Sequence, residues 1–364
     1  MRWSYTIGRI AGTDIKVHVT FLLIVGWWAL VGYSEGGAAA AVTSALALLA
    51  LFACILLHEF GHILMARRFG VRTPDVLLLP IGGVARLERI PDEPRQELLI
   101  ALAGPAVTLA IVIVGLAILR LSGSQAEVAR LSEQQPFLAQ LVSVNLYLLL
   151  FNLIPAFPMD GGRVLRALLA SRLGLLRGTR IAASLGQMFA VLGGLYGITR
   201  PEPLLVLVAF FVFLGANAEA ATVETRLAGQ GLQVSQMMVT NFRTIPVHAT
   251  LSQAVELLLS GEQREFPVLD NLGRTEGILT RDNLIKGLSQ NGPSSSVAQA
   301  MTTGVPTVQP TLGFQEALDR LRGSRLPALP VVDSSGSLVG LLTMDNITDL
   351  LLVRRAGQSP ASSR

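Results

Sequence analysis

The stretch Leu56–Arg68, LLHEFGHILMARR, places two histidines and a glutamate inside an apolar run. His58, Glu59 and His62 form the pattern HExxH, which on a helix puts both histidines on one face. Such a pair can bind one zinc ion, with the glutamate beside the metal as a proton acceptor. The whole chain has only four histidines, so a chance pairing is a weak alternative. Ionisable groups are costly in lipid, which makes this stretch a candidate functional site.

The composition around the motif is that of a membrane protein. Of the 364 residues, 51% are hydrophobic and 15% charged, against about 25% charged in soluble domains. The formal net charge is +4, but the arginines flank apolar segments as membrane topology predicts, so nucleic acid is not an expected partner. Cys54 is the only cysteine, which excludes an intramolecular disulfide. A buried core position suits it better than metal ligation.

Apolar runs of the length that crosses a bilayer predict about six spans. The first is interpreted as an uncleaved span, because the stretch before it is long for a signal peptide and alternates like a strand in TDIKVHV. The remaining alternative is a cleaved leader. The predicted spans are Val17–Val31, Ala38–Met65, Leu98–Leu119, Phe137–Ile154, Ile181–Ile198 and Leu204–Ala220.

Arginine predicts the orientation of these spans. The segments from Arg67 to Arg95 and from Arg163 to Arg180 are rich in arginine and are expected in the cytoplasm, together with both termini. Nine residues separate His58 from Arg67, which is about 14 Å along a helix. The motif is therefore expected inside the membrane, near its cytoplasmic face, in a multi-pass protein of the cell membrane.

A third metal ligand is expected from Phe151–Leu169, FNLIPAFPMDGGRVLRALL. Its prolines break the fourth span, and irregular backbone at membrane depth is tolerated only inside protein or along a cavity. Asp160 follows the break and is the candidate ligand, the alternative being a helix N-cap. Asn152 lies at the same break. Its amide can stabilise an oxyanion or simply satisfy the backbone beside the prolines.

HEFGH followed by NLIPAFPMDGG resembles the site-2 protease family of intramembrane zinc metalloproteases. The resemblance extends to LPIGGVARLE and ALAGP and covers the chain before about Ala221. It implies Zn²⁺ held by His58, His62 and Asp160, and Glu59 as the base for water. The implied substrate is the transmembrane segment of a partner protein, cut in regulated intramembrane proteolysis.

The resemblance also implies a membrane-associated β-hairpin, which Val76–Ile90 matches in position. Gly82 and Gly83 fit its turn or a close backbone approach, and a strand edge there can hold an extended substrate by β-augmentation. A plain cytoplasmic loop is the alternative. His18 is interpreted as structural or interfacial, with a gating role as the alternative.

The C-terminal part contains an internal repeat. VSQMM at Val234 recurs as VAQAM at Val297, and PVLD…GILT recurs as PVVD…GLLT. The copies, 234–290 and 297–353, resemble a tandem pair of cystathionine-β-synthase (CBS) domains. The expected organisation is a membrane protease domain, 1–221, a linker, 222–233, an α+β CBS pair, and a disordered tail, 354–364.

The resemblance to CBS pairs implies a possible adenine nucleotide and homodimerisation. The family has Ser or Thr followed by Asp three residues later, whereas this chain has Thr280 with Asn283 and Thr343 with Asn346. Asparagine can hydrogen-bond a ribose, but without charge assistance. The alternative is a dimerisation or substrate-docking module without a nucleotide.

Three functions compete at this stage. The first is an intramembrane zinc endopeptidase, with activity regulated by the CBS pair. The second is a CBS-gated transporter or channel, which does not explain HExxH together with Asp160. The third is an inactive relative that binds membrane segments, which the intact ligand set and Glu59 disfavour.

Overall fold

The structure, a computed structural model, describes residues 3–80, 82–85, 93–123 and 136–358. It has two compact units, Met1–Val223 and Glu224–Arg364. The end of the predicted hairpin, residues 86–90, and the last six tail residues, 359–364, lie outside the described residues.

The first two predicted spans lie in one broken helix, α1, Val19–Arg68. Its backbone is non-helical at Gly36 and Gly37, where Gly37 has a positive φ of 70° that glycine adopts without a steric penalty. The rings of Phe21 and Phe52 are 4.5 Å apart, whereas a straight helix would separate them by about 45 Å. The two arms of α1 therefore fold back on each other.

Five more helices complete the first unit, and most of them are long and apolar. Together with α1, the helices α2, α5 and α6 are long and apolar enough to cross a membrane, and α3 is apolar but shorter. They expose many large apolar side chains, as lipid-facing helices do. The prediction of a helical membrane protein is confirmed. The helices are α2 Pro94–Leu121, α3 Phe137–Asn152, α4 Asp160–Leu173, α5 Leu175–Thr199 and α6 Pro203–Ala228.

A four-stranded sheet packs against α1. The strand order is β1-β2-β3-β4, with β2 and β3 parallel and the other neighbours antiparallel. Val17, Val76 and Leu78 cover the phenylalanines and Ile63 of α1. The expected strand and hairpin are both present in the described residues. The strands are β1 Ser4–Ile10, β2 Thr13–His18, β3 Asp75–Leu79 and β4 Gly82–Ala85.

The second unit repeats a strand pair followed by a helix, as the internal repeat predicts. In the first copy β6 and β7 precede α8, and in the second β9 and β10 precede α10. Each strand pair is antiparallel. The elements are β5 Ile245–Pro246, α7 Leu251–Leu259, β6 Glu265–Leu269, β7 Thr275–Thr280, α8 Arg281–Asn291, β8 Thr302–Thr303, α9 Phe314–Ser324, β9 Ala328–Val332, β10 Leu338–Thr343 and α10 Met344–Gln358.

Candidate metal centre

Three buried side chains from two distant segments converge in the first unit. The Nε2 atoms of His58 and His62 are 3.1 Å apart, and each lies 3.1 Å from Oδ2 of Asp160. The histidines come from the second arm of α1 and the aspartate from the first turn of α4. All three have less than a tenth of their surface exposed. The predicted ligand set is therefore assembled at one point.

The outer nitrogens of both histidines are held by the protein. Nδ1 of His62 lies 2.7 Å from the carbonyl oxygen of Ile100, which only accepts, so Nδ1 carries the proton. Nδ1 of His58 lies 2.8 Å from Oγ1 of Thr108, whose hydroxyl points at the Gly104 carbonyl. Such partners fix the tautomer and orientation of metal-ligating histidines. Both Nε2 atoms are thus left with lone pairs.

These contacts fit a bound cation. When each Nδ1 carries its ring's proton, two neutral Nε2 lone pairs and a carboxylate oxygen face one another at 3.1 Å. Buried acceptors without a donor are costly, and a cation at their centre removes that cost. Two imidazoles and a carboxylate form a donor set that catalytic zinc uses, with a fourth position left for water or substrate. His58, His62 and Asp160 would hold the zinc ion.

Asp160 reaches the histidines because α3 and α4 are joined by a tight turn. α4 begins at Asp160, and its N-cap is Met159, without a side-chain cap. The capping alternative for Asp160 is therefore wrong, since its carboxylate is turned to the histidines. A Cβ on Gly162 would lie 2.5 Å from the backbone of Ala156 and Phe157, so the turn closes against the helix only with glycine there.

Two glycines make room for site side chains. A Cβ on Gly104, in α2, would overlap the ring of His62. A Cβ on Gly83, in β4, would lie 2.8 Å from Cγ of Glu59, closer than side chains pack. The hairpin therefore lies directly against the predicted base. Glu59 is half-buried beside the two histidines.

Known proteins are similar to this chain in sequence. The model of peptidase family M50 matches residues 46–132 and 120–193. A zinc metalloprotease of Methanocaldococcus jannaschii, MJ0392, is 34% identical over 79% of this chain and 80% of its own length. The putative zinc metalloprotease Rip3 of Mycobacterium tuberculosis is 31% identical over 98% of this chain and 95% of its own. This chain belongs to peptidase family M50.

A solved structure and a second family model are also similar to parts of this M50 peptidase. A solved site-2 protease from Methanocaldococcus jannaschii is 38% identical over 60% of this chain and 95% of its own, with a TM-score of 0.47. The CBS domain model matches residues 234–290 and 297–353. The protein is a zinc metalloprotease of the site-2 protease type with a CBS pair.

Asn152 ends α3 and is half-buried. Its side chain makes no hydrogen bond among the described residues, and its role at the M50 site stays a prediction. Gly82 and Gly83 are also half-buried and pair with Leu79 and Leu78 of β3. Within the described residues β4 is the last strand of its sheet, which leaves its outer edge without a strand partner.

The two Thr–Asn turns of the CBS pair are engaged by the protein itself. Thr280 accepts a hydrogen bond from the backbone N–H of Asn283, whose amide donates to Oγ1 of Thr302 at 2.9 Å. Thr343 accepts a hydrogen bond from the backbone N–H of Asn346 in the same way. The side-chain amide of Asn346 donates to the carbonyl of Met237 at 2.6 Å. The turns begin α8 and α10, and their side chains join each helix to a neighbouring segment.

The sequence analysis missed a buried ion network in the M50 unit. Arg166 is 2% exposed and donates to Glu97 at 2.6 Å and to Glu219 at 2.8 Å. Its guanidinium also lies over the ring of Phe157. The sequence analysis used it only as part of the arginine-rich segment from Arg163 to Arg180, which predicts orientation and not burial. Its carboxylate partners lie on α2 and α6. In the sequence, a glutamate in each of these apolar helices was the feature that could have indicated the network.

Proposed function

We propose that this protein is an intramembrane endopeptidase that cuts transmembrane segments of membrane-bound partners. One observation carries the proposal: two histidine nitrogens of α1, a helix apolar enough to span a membrane, converge with a carboxylate oxygen of α4. A zinc ion in that position supplies Lewis-acid activation of water and of the scissile carbonyl. The peptide bonds available at that depth are those of other membrane proteins.

The residues around the ligands divide the remaining work. Glu59 takes a proton from the attacking water and returns it to the leaving amine, as a general base and then acid. The Asn152 amide donates to the oxyanion that forms on the substrate carbonyl. The ligands themselves stay fixed by Thr108 and the Ile100 carbonyl.

The substrate is held as an added strand. A helical peptide bond is shielded from attack, so the substrate must first be extended. The outer edge of β4 offers backbone groups for β-augmentation, and Gly83 places that edge against Glu59. The unwound segment would thus run past the base and the metal.

The topology follows from the arginine pattern. We place both termini and the CBS pair in the cytoplasm, with the chain crossing the cell membrane about six times. Regulated proteolysis would then release a cytoplasmic fragment. The CBS pair would regulate this step, dimerise the enzyme or do both.

Nucleotide binding by the CBS pair is a separate proposal. Thr and Asn in each turn retain the positions of the family pattern, but their hydrogen bonds are made within the protein. Calorimetric titration of the whole protein in detergent with ATP, ADP and AMP tests it. Heat with one of them supports a nucleotide sensor, and none with any favours a docking or dimerisation module.

Membranes from cells with wild-type protein and with Glu59→Gln decide the main proposal. The variant keeps all three ligands, so zinc per chain should be unchanged, while an uncleaved membrane protein accumulates. A zinc-free wild type with an unchanged membrane proteome would overturn the protease and favour the CBS-gated transporter.

A further inference from the structure

The N-terminal strand β1 carries apolar side chains on the face of the sheet that packs on the membrane helices. Tyr5 pairs with Val17 and Ile10 with Thr13, and paired residues of antiparallel strands point to the same face. Val17 and Thr13 are buried, whereas Tyr5 is 65% exposed and Ile10 53% exposed. The apolar face of the sheet therefore continues beyond the helices that cover it.

Two neighbours extend this surface. Trp3 and Ile7 are 66% and 65% exposed. Together with Tyr5 and Ile10 they form a surface that we call the β1 apolar strip. Four large apolar side chains this exposed within eight residues form a patch rather than scattered surface positions, and such patches mark interaction sites.

The opposite face of the same strands is polar. Arg9 pairs with Asp14 at 3.5 Å, and Lys16 with Asp75 at 2.6 Å. Thr6 lies opposite Lys16 and is exposed. Strands β1 and β2 thus carry apolar residues on one side and polar residues on the other, the division expected of an element lying between lipid and water.

The backbone fixes the depth of the strip. The carbonyl of Trp3 accepts a hydrogen bond from the N–H of Val19 at 2.9 Å, where α1 begins. Leu22 and Leu23, one turn on, are 55% and 66% exposed and face outward from an apolar span. One helical turn is about 5 Å. The Trp3 end of the strip therefore lies at the level where the first span enters the bilayer.

We propose that the β1 apolar strip inserts into the lipid headgroup region of the bilayer. Tryptophan and tyrosine favour that boundary, where one end of the ring is apolar and the other polar. The charged face then points to water, and the strip is continuous with the lipid-facing surface of α1. Because β4 belongs to the same sheet, the inserted strip sets the depth of the strand that lies against Glu59.

Tryptophan fluorescence tests the proposal on the whole protein in lipid vesicles. Trp3, Trp27 and Trp28 are the three tryptophans, so Trp27→Phe with Trp28→Phe leaves Trp3 as the single reporter. The matched control adds Trp3→Phe and Thr6→Trp, which moves the reporter to the charged face. Quenching is measured with acrylamide in the water and with phosphatidylcholine brominated near the headgroup.

The expected result is blue-shifted Trp3 emission that brominated lipid quenches and acrylamide does not. The Thr6→Trp control should show the opposite pattern. Strong acrylamide quenching of Trp3 would overturn the proposal, because the strip would lie in water. Protection from both quenchers would also overturn it, since the strip would then be covered by protein, such as a second copy of the chain.

Discussion

The metal centre and the Thr–Asn turns of the CBS pair are both short polar motifs, yet their polar atoms have different partners. At the metal centre the inner nitrogens of His58 and His62 face another acceptor, Asp160, with no donor between them. In the CBS turns the amide of Asn283 donates to a hydroxyl and that of Asn346 to a carbonyl. The first motif needs a ligand to be satisfied, and the second is satisfied without one.

Hydrogen bonds to neighbouring segments separate a structural motif from a binding motif. Both motifs lie at the starts or on the faces of helices. In both, the spacing of the residues in the sequence fits a binding site. What distinguishes them is whether neighbouring segments complete their hydrogen bonds. Buried polar groups in native proteins are nearly always paired, so converging acceptors without a protein donor point to a cation-binding site.

The largest expected effect is at the metal centre. Asp160→Asn replaces the anionic ligand with a neutral amide of the same size. Zinc per purified chain, measured by mass spectrometry, should fall, with affinity lower by more than about 100-fold, the upper end of the effect of groups that only orient a ligand. Asp14→Asn, on the charged face of the sheet, is the control. Zinc retention by Asp160→Asn would show that the aspartate is not a ligand.

Next in size is an effect on Glu59 alone. Gly83→Ala puts a Cβ 2.8 Å from Cγ of Glu59, so the carboxylate must move. Displacement by about 1 Å can cost about 100-fold in rate, and the turnover number for a membrane substrate should fall by that order with zinc retained. Because Glu59→Ala removes both Cγ and the carboxylate, Gly83→Ala should cause little further loss of activity in that background. Strictly additive effects in the double variant would contradict direct contact.

A smaller effect is expected in the CBS turns, and on stability only. Thr343→Ala removes a helix N-cap and Asn346→Ala a hydrogen bond, each worth about 1 kcal/mol. Hydrogen exchange in the whole protein should show faster exchange in β10 and α10, with zinc unchanged and Asn271→Ala, at an exposed loop, as control. If AMP slowed exchange at these turns in the wild type, the contrast with the metal centre would fail.

The smallest effect concerns a carboxyl group in the CBS pair. Burial, and then the carboxylate of Asp345, raise the pKa of Glu265. Arg264 opposes this rise, and Asp282 adds the smallest contribution to it. The folded state therefore binds this proton more tightly than the unfolded state. Stability should rise as the pH falls through the folded pKa, a gain complete below the unfolded pKa of about 4.3.

Glu265→Gln should remove that dependence and raise the thermal midpoint near neutral pH. Thermal unfolding of the whole protein followed by hydrogen exchange in β6 and β7 measures both changes. An unchanged pH profile in the variant would assign the dependence to another group.

Sequence was sufficient where the signal is local. Spacing within the apolar run predicts that His58 and His62 share a helix face, and length predicts the spans. Asp160 required more, namely the inference that prolines at membrane depth mark a site. The break in α1 falls between the predicted spans Val17–Val31 and Ala38–Met65, although the fold-back of α1 shows only in the contact of Phe21 with Phe52.

Partners brought together by tertiary structure were not predictable from sequence. Thr108 and the Ile100 carbonyl hold the histidines only because α2 packs along α1 at close range. Arg166 resembled a topological charge because its carboxylate partners lie far away in the chain. Asn283 and Asn346 are likewise each bound by the other repeat, Asn283 by Thr302 and Asn346 by Met237.

The parallel pairing of β2 with β3 has a consequence for the order of events during synthesis. Asp14 of β2 pairs with Asp75 of β3, and the whole of α1 lies between these strands in the chain. Both arms of α1 must therefore be made and folded back before this sheet can close. His58 and His62 precede Asp160 by about a hundred residues in the chain, and domains form from the N-terminal side first. The nascent chain therefore carries the two histidines without the aspartate until α3 and α4 follow. The peptidase becomes competent only after most of its own membrane domain has been built.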